Sequence, residues 1–236
     1  MKKEYKLLLI LLICSLFAII INFTNIKDKI SIISVGDGIS KGITSLGMEG
    51  VSYNDYLKDY YLKKRMLDNY NTEFSRDNLT TEELYNLLLK NKNGSKSNLP
   101  FKQLLAKANL IIVNIGMDEL NDYIIRGTFN KENVNKYLDY YNRFCYELRS
   151  FYDKDVIVLG LYPSDKLNKN IVYALNKNIK KICMNNDLKF IDLIALSLNE
   201  KYFAENGDYH LNNLGHKEIF KQIIKKLDCF NWLDGL

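Results

Sequence analysis

The sequence predicts an α/β protein: a three-layer α/β/α sandwich with about five parallel strands, preceded by one N-terminal transmembrane helix. Three observations carry that expectation. Ile30–Val35, Asn109–Ile115 and Asp155–Leu161 are short, continuous apolar runs, the pattern of strands covered on both faces. Segments of helical period separate them, so strand and helix alternate. Ahead of them all, Leu7 to Phe23 is almost uniformly apolar behind the short basic segment Met1 to Lys6.

The apolar N-terminal stretch, about 17 residues, is at the lower limit for crossing a bilayer and longer than the usual core of a cleaved leader. No small-x-small cleavage pattern follows it, and Ile13 before Cys14 does not suit a lipoprotein box. Residues 1–26 therefore read as an uncleaved signal anchor, with a cleaved signal peptide as the alternative. The basic flank stays cytoplasmic, which places residues 27–236 outside as one domain. The expected location is the cell membrane, single-pass, with the C-terminal domain extracytoplasmic.

Composition narrows the function classes. The chain has 236 residues, 47% hydrophobic and 26% charged, enough for one ordinary core. Its formal charge of +5 is spread over segments that also carry Asp and Glu, which argues against nucleic acid as a partner. Cys145, Cys183 and Cys229 have irregular spacing, without the C-x-x-C of a metal site, and read as buried small hydrophobes. No cofactor is implied.

The elements follow in order. Ile30 to Val35 is the first strand, and Tyr53 to Lys64 is a helix with Tyr56, Tyr60 and Leu57, Tyr61 at helical spacing. Thr72 to Ser75 is expected as a weak second strand. Thr80 to Lys90 opens on a Thr-x-x-Glu capping box, Thr80 and Glu83, and presents Leu84, Leu87 and Leu88 on one face. Lys92 to Pro100 is a polar loop and Phe101 to Lys107 a short helix before the strand at Asn109–Ile115. Val134 to Tyr152 is a long amphipathic helix, with Tyr137, Leu138, Tyr141, Phe144, Cys145 and Leu148 at three- and four-residue intervals. Asp155 to Leu161 is a strand, Asn168 to Asn185 a helix, Leu188 to Leu193 the last strand and Lys217 to Leu227 the closing helix.

Chemistry-bearing residues gather where strands end. The first apolar run ends in Gly36-Asp37-Gly38, and the segment after it carries Gly47, Gly50 and Ser52-Tyr53-Asn54-Asp55-Tyr56-Leu57. The second run ends in Asn114-Ile115-Gly116-Met117-Asp118-Glu119-Leu120, and a late block reads Gly207-Asp208-Tyr209-His210-Leu211-Asn212-Asn213-Leu214-Gly215-His216. With Arg76-Asp77-Asn78-Leu79-Thr80-Thr81, these four blocks resemble, in order, those of the SGNH or GDSL hydrolases, a flavodoxin-like fold. The resemblance spans nearly the whole outer domain.

It implies a serine nucleophile after the first strand, a late Asp-x-x-His block, and an oxyanion hole. The hole is made by the serine amide, a glycine amide after the second strand and an asparagine side chain after the third. This chain departs at each place. Gly38 stands where the serine belongs and has no side chain to activate. Asn78 stands for the oxyanion glycine, and an Asn tolerates the left-handed backbone that turns its amide inward. Asp118 replaces the donor amide with an acceptor that repels a developing oxyanion; Glu119 follows it and Gly116 precedes it. Gly207 occupies the position of the base-orienting aspartate, Asp208 being one step closer to His210. Asp37, His210, Asn212 and Gly215 match the family pattern.

Three readings follow. The departures favour a catalytically inactive domain that binds a cell-envelope small molecule, glycan or protein. The retained His210 keeps open a divergent esterase acting on acyl or acetyl groups of envelope lipid or glycan, with Ser40 as a weak candidate nucleophile. Asp37, Asp118, Glu119, Asp208 and His210 at one sheet edge raise a third possibility, an acidic cleft holding a cation.

Overall fold

The structure, a computed structural model, describes residues 29–204 and 209–233, without the side chains of 197, 198 and 229–233. Five strands form one parallel sheet in the order β2-β1-β3-β4-β5: β1 Ile30–Gly36, β2 Leu67–Asn71, β3 Leu110–Asn114, β4 Asp155–Leu159 and β5 Lys189–Ile191. β3 is buried at every position and β1 at all but its first, as their unbroken apolar sequences require.

The helices are α1 Gly38–Lys41, α2 Tyr53–Lys63, α3 Thr81–Leu89, α4 Phe101–Ala106, α5 Met117–Ile125, α6 Lys131–Phe151, α7 Lys169–Asn185 and α8 Asn213–Leu233. Two short 3-10 turns, Ile194–Leu198 and Glu200–Tyr202, precede α8. α2 and α8 pack together as one layer, while α3, α6 and α7 pack side by side as the other. This is the arrangement right-handed crossovers give to this strand order. The expected α/β/α sandwich with five parallel strands is what the structure contains.

Local chemistry accounts for the helix starts. Ser52 with Asp55, and Thr80 with Glu83, form reciprocal capping boxes on α2 and α3. Asn130 and Asn168 cap α6 and α7 through their side-chain oxygens. Cys145 and Cys183 are buried free thiols in the core, where burial pushes both up in pKa.

The second strand is a correction: it lies at Leu67–Asn71, not Thr72–Ser75. As the edge strand it is half exposed and has no apolar run to betray it. Ser75 makes only an isolated bridge to Gly36 and donates its hydroxyl to the Ser34 carbonyl. α1 and α5, which the periodicity did not single out, follow immediately after the site turns. The last helix begins at Asn213, one turn earlier than expected. The expected membrane helix lies outside the described residues; among the described residues, no helix is long and apolar enough to cross a membrane.

Candidate functional site

Parallel register sets the site. Gly36 pairs with Asn114, so β1 and β3 end side by side and release their loops at the same sheet edge. These neighbouring strands lead away in opposite directions, the crevice where open α/β sheets build sites.

Asp37 is the keystone between the two loops. One carboxylate oxygen accepts from the N–H groups of Gly116 at 2.8 Å and Met117 at 2.9 Å, at the N-terminus of α5; the other accepts from Ile39 N at 3.2 Å. It caps two helices at once and is wholly buried. Burial first, then the nearby Asp118 carboxylate, pushes its carboxyl well above the ordinary range, while the backbone N–H groups pull against that rise. Gly116 must be glycine: φ is +118°, and a Cβ would run into the Tyr137 hydroxyl.

Asp118 reaches back across the crevice. Its Oδ2 accepts from Gly38 N at 2.7 Å and Asn78 N at 2.9 Å, and its Oδ1 accepts from the Tyr209 hydroxyl at 3.1 Å. Asn78 has φ +54°, the left-handed conformation that directs its amide inward. Burial raises the Asp118 carboxyl, the Asp77 carboxylate adds to the rise, and the three donors oppose it. The two backbone amides that the motif resemblance assigns to an oxyanion hole are thus filled by a side chain of the same protein. A Cβ on Gly38 would lie 2.8 Å from Asp118 Oδ2 and 2.9 Å from Asp77 Oδ1, so a serine has no room while those carboxylates hold their places.

The remaining sequence candidates divide. Glu119 turns away from the crevice to cap α3, accepting from Thr81 N at 2.8 Å, Thr81 Oγ1 at 2.9 Å and the Tyr123 hydroxyl at 2.7 Å. Ser40 is 1% exposed, with its Oγ 2.8 Å from the Tyr53 hydroxyl and donating to the Asn114 carbonyl at 3.2 Å. It is a core hydroxyl, out of a substrate's reach. Asn212 clamps its own loop: its amide donates to the carbonyls of Lys201 and Phe203, and its oxygen accepts from Leu214 N and Gly215 N. Gly215 lies against the Tyr202 carbonyl, where a Cβ would collide. Gly207 and Asp208 lie outside the described residues. His210 is half-buried, and its ring stacks on Tyr209 with centroids 4.2 Å apart. His216, within α8, is 2% exposed, and burial pushes it down to about 4.

Tyr209 and Asp77 are the site residues the sequence did not single out; the only signal for Tyr209 is its position before His210. Of the five residues in the cation reading, Asp37, Asp118 and Glu119 each point at N–H or O–H donors rather than at a shared centre, and Asp208 lies outside the described residues. Among the described residues, no group of three or more His, Cys, Asp or Glu is placed to hold a metal. Beside the His210 segment a cleft of about 360 Å³ opens toward the Gly42–Val51 loop, lined by Thr44, Ser45, Val51, Leu211, Leu214 and His216.

Comparison with known proteins agrees with this architecture. The family model described as GDSL-like Lipase/Acylhydrolase matches residues 32–223. Among solved structures, the chain is similar to a lipase/acylhydrolase from Enterococcus faecalis, at 17% identity and TM-score 0.61, over 84% of this chain and 94% of that one. It is similar to the lipase Lip_vut3 from a goat rumen metagenome, at 16% identity and TM-score 0.67, over 84% and 97%. A third similar structure is the acetylxylan esterase Axe2 from Geobacillus stearothermophilus, at 13% identity and TM-score 0.65, over 85% and 94%. No curated protein matches the sequence. With the matched region spanning β1 to α8 and the four motif blocks on the elements described, the chain belongs to the GDSL-like lipase/acylhydrolase family.

Proposed function

We propose that this is a membrane-anchored, extracytoplasmic GDSL-like domain that has given up serine acyl transfer and binds a cell-envelope glycan, small molecule or protein. The observation that carries the reading is the bond from Gly38 N to Asp118 Oδ2: the nucleophile position has no hydroxyl, and the oxyanion donors face a carboxylate. Removing one such donor ordinarily costs about 2.7–4 kcal/mol of transition-state stabilisation, and a fixed negative charge opposes the reaction further. Without the nucleophile, a retained histidine contributes little, because triad members act as a unit.

The anchor would end just before β1, whereas the crevice is at the other end of that seven-residue strand. The crevice is therefore roughly 20 Å along the strand from the point where the anchor would join the domain. That favours a ligand in the outer envelope over the anchoring leaflet itself. The cleft lined by Thr44, Ser45, Val51, Leu211, Leu214 and His216 has room for a sugar or a short acyl group.

The test uses the full chain purified in detergent. Hydrolysis of p-nitrophenyl acetate should not exceed that of a His210→Ala control, and a fluorophosphonate probe should leave the folded protein unlabelled. Hydrolysis well above the control would instead support the esterase reading, which draws on the similarity to a lipase/acylhydrolase and an acetylxylan esterase and on His210. Anchoring has its own check: the chain should resist alkaline extraction from membranes and be cut by protease only from the outer face.

A further inference from the structure

We propose that Asp118 and Tyr209 form an internal strap that closes the crevice in the absence of ligand, with Asp118 acting as a stand-in anion on the amides of Gly38 and Asn78. The inference rests on reading this crevice as the binding site, and it adds how access to that site is controlled.

Three contacts build the strap. Asp118 Oδ2 takes both inward backbone donors, Gly38 N and Asn78 N. Its other oxygen takes the Tyr209 hydroxyl, which ties the start of the His210 segment to the N-terminus of α5. The Tyr209 ring lies over His210, and its carbonyl accepts from the Tyr162 hydroxyl at 3.0 Å, so the tyrosine is fixed at both ends. Tyr209 therefore bridges the histidine side and the amide side of the crevice, the interval a bound group would need. The chain itself consumes the donors a ligand would use.

The chemistry of the displaced group follows from what the strap satisfies. Two converging backbone N–H groups favour an acceptor with negative character, and a carboxylate fits them here. A ligand that presents its own carboxylate to Gly38 N and Asn78 N would replace Asp118 and release Tyr209. A ligand that displaced Asp118 without placing an acceptor oxygen there would leave both donors unpaired, and a neutral oxygen would replace a charge-assisted pair with weaker bonds, so the strap selects as well as closes.

Hydrogen exchange read by mass spectrometry on the full chain tests this, using peptides covering residues 36–42 and 76–81, with 110–114 in β3 as internal reference. Tyr209→Phe keeps the ring and removes one hydrogen bond; it should raise exchange in the two site peptides by about fivefold, the equivalent of roughly 1 kcal/mol, and leave β3 unchanged. Asp118→Ala should raise it further, and 100 mM acetate should restore protection in that variant while changing little in the wild type, where the tethered Asp118 carboxylate outcompetes a free acetate that makes no other contact. Unchanged exchange in Tyr209→Phe overturns the strap, as does equal protection of wild type and Asp118→Ala by acetate. If Asp118→Ala does not fold, Tyr209→Phe alone decides. Because exchange is independent of ester turnover, failure here is distinguishable from discovery of hydrolysis.

Discussion

Gly38 N donates to Asp118 Oδ2 at 2.7 Å, joining residues 80 positions apart that stand where the family carries its nucleophile and its oxyanion-donating side chain. The two departures are therefore one structural arrangement. A side chain at 38 would collide with the carboxylate, and the carboxylate accepts from a buried amide that would otherwise be unpaired.

Restoring the serine alone should fail. Gly38→Ser should lower stability by about 1–3 kcal/mol through overpacking against Asp118 and Asp77. Gly38→Ser with Asp118→Asn should lose less than the sum of the single changes, with a coupling of about 1 kcal/mol or more. Urea denaturation of the four proteins measures this; additive losses would show that the two positions are independent.

Asp37 should be indispensable to the fold rather than to any reaction. Asp37→Ala strands the buried N–H groups of Gly116, Met117 and Ile39 and should cost about 2–4 kcal/mol in urea denaturation. Asp37→Asn, which keeps an acceptor, should recover part of that. A loss under 0.5 kcal/mol in the alanine variant would contradict the capping role.

Among the described residues the buried Tyr137 hydroxyl has no hydrogen-bond partner, and it lies directly over Gly116. Tyr137→Phe should thus be neutral or stabilise by up to about 1 kcal/mol, since it removes an unsatisfied polar atom. Gly116→Ala should destabilise by about 2 kcal/mol or more, from its positive φ and that collision, and Tyr137→Phe in the same chain should relieve part of the loss. Thermal melts of the three variants distinguish these outcomes.

His216 should govern mild-acid stability. Its folded pKa of about 4 lies below the ordinary 6.5, so as pH falls from 6.5 to 4 the unfolded chain takes up a proton that the folded one refuses. Stability present above pH 6.5 is lost through that window, by about 3 kcal/mol for this one group. Asp37 and Asp118, raised in the fold, act in the opposite sense, so the comparison to make is wild type against His216→Gln. The stability difference between the two should shift in favour of His216→Gln across that window; a constant difference would show that His216 titrates alike in both states.

Much of the fold was legible in the sequence because its signals are local. Ile30–Val35 and Asn109–Ile115 read as buried strands from their unbroken apolar runs, and Thr80 with Glu83 announced the start of α3. β2 was not legible, since an edge strand with one dry side need not be apolar throughout. α5 is short and carries only weak signals, Gly116 ahead of an acidic first turn and Leu120 and Ile124 at helical spacing.

The sequence by itself determined the family scaffold, the missing hydroxyl at Gly38, and the presence of carboxylates where a donor belongs, because these are matters of residue type at a position in a motif. It could not assign those carboxylates their partners. Asp37, Asp118 and Glu119 looked like one acidic cluster in the chain, yet each serves a different set of N–H or O–H donors. Only the parallel register of Gly36 against Asn114 decided that, by bringing together amides some 40 to 80 residues from the side chains that satisfy them. A hydrogen bond requires distance and direction, and in this protein both are set by the sheet.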